Sequence, residues 1–133
     1  MSLFNIFGIA GSGMSAQSAR LNLTASNLAN SQSVATRPED AYKARHPVFQ
    51  TVLENESAAS VRTSGVVESN AETEARYSPG HPLADEKGYV YASNVNALEE
   101  MANMMSASRS FQQNVEVMNT SKDLLLRTLR LGE

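Results

Sequence analysis

Residues 96–132 read NALEEMANMMSASRSFQQNVEVMNTSKDLLLRTLRLG, and no proline or glycine interrupts them before Gly132. Ala97, Met101, Met104, Ser108, Phe111, Val115, Met118, Lys122, Leu125 and Leu129 follow an alternating spacing of four and three, and all but Ser108 and Lys122 are apolar. A seam kept at that period predicts a long helix that supercoils against a partner rather than lying singly on a surface. Asn96 with Glu99 three residues on forms a capping-box pattern, Glu99 and Glu100 suit the positive end of the helix, and Arg127 and Arg130 suit its negative end. Gly132 fits the position just past a helix end.

The same spacing recurs at the other end of the chain in Leu3, Phe7, Ala10, Met14, Leu21 and Leu28, with Gln17 and Thr24 as its polar members. Residues 14–36 and 89–131 contain neither glycine nor proline, whereas Pro38, Pro47, Pro79 and Pro82 all fall between them. Breakers concentrated in the centre divide the chain into arm, insert and arm. Two matching seams predict that the arms pair as a coiled coil, giving a helical domain from 1–36 plus 94–133. The three glycines at 8, 11 and 13 each cost a helix about 1 kcal/mol relative to alanine, so the first turns depend on neighbours.

The insert, 37–93, reads as a small β subdomain, because YKARHPVFQTVL at 42–53 and ASVRTSGVVES at 59–69 carry β-branched and aromatic residues between turn formers. SPGH at 78–81 predicts a type II turn in which Gly80 takes a positive φ. The fold class expected is mainly α with a β insert.

Composition narrows the function classes. A chain of 133 residues with 41% hydrophobic and 19% charged residues has room for one ordinary domain. Aromatics make up 6% and tryptophan is absent, so burial rests on Leu, Val, Ala and six Met, and a deep enzyme pocket is not expected. A net charge of -3 with scattered basic residues argues against nucleic acid. No cysteine is present, which removes disulfides and thiolate metal sites. The first charged side chain is Arg20, so a secretory signal with a basic leading segment is not expected, and no apolar run approaches the about 20 residues of a membrane span.

Charge is unevenly spread: Arg20 is the single charge in 1–36, and LNLTASNLAN at 21–30 has none. A helix with one wet face normally carries charges there, so this arm is prepared for protein on both faces. Burying eight seam side chains yields about 12–24 kcal/mol gross, against about 1–2 kcal/mol per residue to fix the backbone. The arms are therefore expected to order fully when further subunits cover them, which points to a polymer.

ASNLANSQSVAT at 25–36 resembles the N-terminal signature shared by bacterial flagellar rod and hook proteins, and NVNALEEMANMMSASRSFQQNVEVMNTSKDLLLRTLRLG at 94–132 resembles their C-terminal signature. YSPGHPLADEKGYVYASNVN at 77–96 is most similar to proximal rod members of that family. Phe111 stands where the family commonly has Tyr, and Ala97 also departs from its pattern.

The resemblance implies a non-catalytic axial subunit of the flagellar basal body, exported unprocessed by the flagellar type III apparatus. It implies a rod across the periplasm whose paired terminal helices form an inner tube, with the insert outside and torque passing from motor to hook. The implied partners are further copies of the chain, neighbouring rod proteins of the FlgB, FlgF, FlgG and FliE types, and the export apparatus. Neither nucleic acid, membrane insertion nor a cofactor is implied. The expected assembly residues are Met14, Leu21, Asn27, Leu28, Asn30, Asn94, Asn96, Met101, Met104, Phe111, Val115, Met118, Leu125 and Leu129, with Asn27 and Asn30 forming hydrogen bonds between subunits.

Other readings are weaker. His81 with Asp85 and Glu86 lacks a further spaced ligand cluster and reads as a turn with solvated carboxylates. His46 and His81 sit near no nucleophile-elbow pattern. Met101, Met104, Met105 and Met118 could form an adaptable groove, but their helical placement favours core. A soluble secreted protein with a closed coiled coil and a β recognition module is the alternative from a different class.

Overall fold

A computed structural model describes residues 3–55 and 58–131. Two long helices, α1 (Leu3–Ala29) and α2 (Ala97–Leu131), flank five strands: β1 (Val34–Ala35), β2 (Arg45–Asn55), β3 (Ala58–Glu68), β4 (Ala75–Tyr77) and β5 (Tyr89–Ala92). A single 3-10 turn spans Pro38–Asp40. Gly132 lies outside the described residues, and with it the expected stop of α2.

The start of α2 follows from its cap. Asn96 Oδ1 accepts hydrogen bonds from the Leu98 and Glu99 backbone N–H groups at 3.1 and 3.3 Å, satisfying donors that a helix leaves orphaned. The end of α1 is equally local: the Asn30 amide donates to Ser26 O at 2.8 Å, the Ser31 hydroxyl to Leu28 O at 2.8 Å and the Ser33 hydroxyl to Asn30 O at 2.7 Å. These short polar side chains offer the backbone an alternative to continued helix. Val34 and Ala35, expected within the helical arm, leave it to pair with Ala92 and Tyr91.

The strands form two sheets, one ordered β1-β5-β4 and one made of β2 and β3. β5 is the central strand of the first sheet and antiparallel to both neighbours. Its Val90, 2% exposed, is the largest apolar side chain fully enclosed among the described residues. In the second sheet Arg45, opening β2, forms an ion pair with Glu68, closing β3, at 3.3 Å, so the two strands form an antiparallel ribbon.

The turn at 78–81 closes through His81 N–H to Ser78 O at 3.0 Å, but Gly80 does not take a positive φ. The expected type II geometry is replaced by a right-handed turn that runs on into a second, closed from Ala84 N–H to His81 O at 3.0 Å. The glycine that needs the left-handed region is Gly88, at φ 83°.

Compactness divides the chain into two units, each taking part of both helices. The first comprises Met1–Leu21, Pro47–Gly65 and Met105–Glu133. Here α1 and α2 meet where Gly13 leaves room for Asn114: a Cβ at position 13 would stand 3.0 Å from the Asn114 amide. The Met118 methyl lies 4.0 Å from the equivalent point at Gly11, so the helices run antiparallel here. The second unit comprises Asn22–His46 and Val66–Met104 and holds the three-stranded sheet.

Burial on α2 does not follow the predicted seam at every position. Glu100, Ala107 and Ser121 are buried and Met104, Phe111, Asn114, Met118 and Leu125 half-buried, again at four and three. Of the ten expected seam positions, Met104, Phe111, Met118 and Leu125 lie on this row and Ala97, Ser108 and Val115 are also half-buried, but Met101 and Leu129 are 50% and 62% exposed and Lys122 is exposed. On α1, Ala10 and Thr24 of the expected seam are buried together with Ala16 and Asn27 outside it, while Met14, Leu21 and Leu28 are half-buried. Small and hydrogen-bonded polar residues occupy the inner positions, because they permit the close approach seen at Gly13.

Candidate assembly surface and its polar anchor

LNLTASNLAN at 21–30 carries two of its polar residues, Thr24 and Asn27, inside the subunit. Asn27 is 0% exposed, and its side chain uses its full hydrogen-bonding capacity. Oδ1 accepts from the Tyr42 hydroxyl at 3.0 Å and from the Arg45 backbone N–H at 2.9 Å. Nδ2 donates to the Arg45 carbonyl at 2.9 Å and to Glu100 Oε2 at 3.0 Å. The amide thus pairs with both backbone groups of Arg45 as a neighbouring strand would, while also tying α1 to α2.

Glu100 is only 3% exposed, an expensive place for a carboxylate unless donors face it. Asn27 supplies one, and the first turn of α2 supplies the favourable end of the helix dipole. Tyr42 is held further by the Ser26 hydroxyl at 3.2 Å, and the Arg45 guanidinium lies over its ring, 5.8 Å from the centroid.

Asn94 is the second anchor. Its Oδ1 accepts from Ala44 N–H at 2.7 Å, and its Nδ2 donates to Ala71 O at 2.8 Å and Ser69 O at 3.4 Å. Ser69 N–H donates to Ala44 O at 2.8 Å and Ser93 N–H to Ser33 O at 3.1 Å. Asn27, Asn30, Asn94 and Asn96 therefore find their partners within one subunit. Glu100 and Tyr42 were missed by sequence reasoning; a second consecutive carboxylate, beyond the one a capping box uses, is the clue that Glu100 offered.

A third constellation surrounds Asp85. Its Oδ1 accepts from Tyr89 N–H at 2.8 Å and Lys87 N–H at 2.9 Å, and the Tyr91 hydroxyl donates to Oδ2 at 3.4 Å. The Tyr89 N–H bond is the main cause that holds the Asp85 pKa below its ordinary 3.8, with Lys87 and Tyr91 assisting against partial desolvation. The contribution to stability is whole above that ordinary value and is lost as pH falls through the lowered one. Protection of the Tyr89 amide from exchange should accordingly drop on acidification from pH 5 to about pH 2, and constant protection would contradict the assignment. His81 serves the neighbouring turn, its Nδ1 accepting from Leu83 N–H at 3.1 Å. Among the described residues no cluster of three potential ligands could hold a metal, and no helix is long and apolar enough to cross a membrane.

Several large apolar side chains face outward among charged and polar ones such as Glu99, Arg109 and Glu116. On α2, Leu98 is 78%, Met101 50% and Met105 68% exposed, at spacings of three and four. Leu124 and Leu129 are 52% and 62% exposed towards its other end. Of the remaining expected contact residues, Met104, Phe111, Val115, Met118 and Leu125 are half-buried.

Two long helices that close on small and polar residues and leave large apolar ones outside define a class of subunit built to be covered, and comparison identifies the class. Residues 7–34 match the family described as Flagella basal body rod protein, and residues 86–131 match Flagellar basal body rod FlgEFG protein C-terminal. The chain is 51% identical over 134 residues to the flagellar basal-body rod protein FlgC of Escherichia coli O6:H1, covering all of both chains. It is 49% identical to that of Salmonella typhimurium and 42% identical to that of Buchnera aphidicola from Acyrthosiphon pisum, again over the full length of each. The chain belongs to the FlgC family of flagellar basal-body rod proteins, and is a structural subunit of the proximal rod.

Proposed function

We propose that the subunit polymerises into a helical tube in which α1 and α2 pair as a coiled coil and line the inside. In that tube the helical segments within 1–36 and 94–133 form the assembly domain, and 37–93 is the outward insert. The tube crosses the periplasm, carries torque from motor to hook and forms part of the export channel wall; the subunit reaches it through the flagellar type III apparatus. Its neighbours are further copies and rod proteins of the FlgB, FlgF, FlgG and FliE types, meeting through heterologous contacts that do not close into a ring.

The observation that carries this reading is the exposed row Leu98, Met101 and Met105 on a helix whose inner side is already occupied. Leaving such side chains in water forfeits about 1.5–3 kcal/mol each, which neighbouring subunits would recover. The half-buried Met14, Leu21, Leu28, Met104, Phe111, Val115, Met118 and Leu125, with exposed Leu129, extend the proposed contact surface.

Leu98→Asp and Met105→Asp test it. Both side chains are largely exposed, so the subunit should fold and be exported from cells lacking their own copy, yet no rod should form and swimming should fall to background. Swimming at the wild-type rate by both variants would overturn the assignment of this row to assembly.

A further inference from the structure

The chain holds its sulfur in methionine alone: it has six Met and no cysteine, and no tryptophan beside them. Thioethers are therefore the side chains that a two-electron oxidant attacks first, in an order set by their exposure. Met105 is 68% and Met101 50% exposed, whereas Met14, Met104 and Met118 are half-buried. The Met118 methyl lies against α1, 4.0 Å from the point where a Cβ on Gly11 would stand. Met101 and Met105 are one turn apart on α2, at i and i+4, and so share one side of the helix. Leu98, three residues before Met101, completes the exposed row assigned above to contacts between subunits.

Hydrogen peroxide transfers one oxygen atom to a thioether. The S–O bond forms as the O–O bond breaks, sulfur gives up two electrons, and the remaining oxygen leaves as water. The sulfoxide places a polar acceptor where an apolar surface stood. In water that acceptor is hydrated; beneath another subunit it loses its hydration, and a row made of Leu98 and two Met side chains has no donor to replace it.

We propose that Met101 and Met105 form a reversible oxidation site that sets whether a subunit is competent to assemble. As thioethers they accept cover; as sulfoxides they leave the subunit folded, because neither is in its interior, but refuse the neighbour. The proposal rests on the assembly reading for the cover itself. It also gives sensitivity an order in time, since both sulfurs face solvent in the lone subunit and are enclosed once a neighbour packs on the row. A methionine sulfoxide reductase restores the thioether, with a dithiol oxidised to its disulfide and the oxygen leaving as water.

Peroxide treatment of the purified full-length subunit, followed by mass spectrometry resolved to single residues, tests the site. Oxygen should be added at Met101 and Met105 at least about fivefold faster than at Met14, Met104 and Met118, and the melting temperature should fall by no more than about 3 °C. Equal rates at all five, or unfolding on oxidation, would overturn the proposal. In intact rods both thioethers should survive the same treatment; oxidation there at the rate of the lone subunit would also overturn it. The consequence for assembly is read with Met101→Gln and Met105→Gln combined in one chain, glutamine supplying a polar oxygen on a side chain of similar length. Swimming of cells carrying only this variant should fall at least about tenfold, in line with the hydration lost at two sites. Swimming at the wild-type rate, beside loss of swimming in Leu98→Asp, would overturn the oxidation site and leave the assembly reading standing, so the two fail separately.

Discussion

Asn27→Ala should lower the unfolding free energy by about 3–4 kcal/mol, because four hydrogen bonds at about 1 kcal/mol each are lost and the Glu100 carboxylate stays buried without its amide donor. For a chain of this size that corresponds to a fall in melting temperature of about 10 °C or more. Asn30→Ala provides the comparison. Its amide makes a single described bond, to Ser26 O at the helix end, and should cost about 1 kcal/mol. Thermal unfolding of the two variants side by side reads the difference; equal losses would mean that the Asn27 network contributes no more than a local cap.

Gly88→Ala should be the most damaging change to the three-stranded sheet, at about 2–3 kcal/mol. An alanine at φ 83° bears about 1–2 kcal/mol of steric strain. Its Cβ would stand 2.9 Å from Tyr77 Cε2 and 3.1 Å from Pro79 Cβ. Tyr77 is 65% exposed and can swing aside, but doing so gives up its edge-on packing with Tyr89, whose ring centroid lies 5.2 Å away. The backbone bond from Ser78 N–H to Gly88 O, 2.8 Å, holds the two segments together and limits relief. Gly80→Ala is the contrast: nothing lies within 4 Å of its added Cβ and φ is not positive there, so the melting temperature should hardly move. A Gly88→Ala protein melting like wild type would show that the 85–88 turn adjusts freely.

The two helices and the two long strands were legible because each rests on a signal local in sequence: unbroken four-and-three spacing for α2, β-branched runs between turn formers for β2 and β3. β1, β4 and β5 were harder, since two to four residues cannot display a period and their pairing is a long-range event. The inner side of α2 was displaced because periodicity weighs apolarity and ranks Met101 and Val115 above Glu100 and Asn114. Glu100 is inside only because Asn27, 73 positions earlier, satisfies it, and nothing near either residue announces that match. Asn27 and Asn30 are alike in composition and neighbourhood, yet one is buried in a network and the other ends a helix. At 78–81 the Pro-Gly pair fitted two turn types, and the following bond from Ala84 to His81 selected the right-handed one.

The β2–β3 ribbon has a consequence for the cell's handling of the protein. Two strands of eleven residues each pair only with one another among the described residues, leaving both outer margins short of partners. Phe49 and Leu53, 40% and 78% exposed, stand along one of them. Such margins recruit strands from other molecules at a rate that climbs with concentration. On the proposed export route, subunits awaiting assembly are best kept dilute, because crowding favours clumping through these margins.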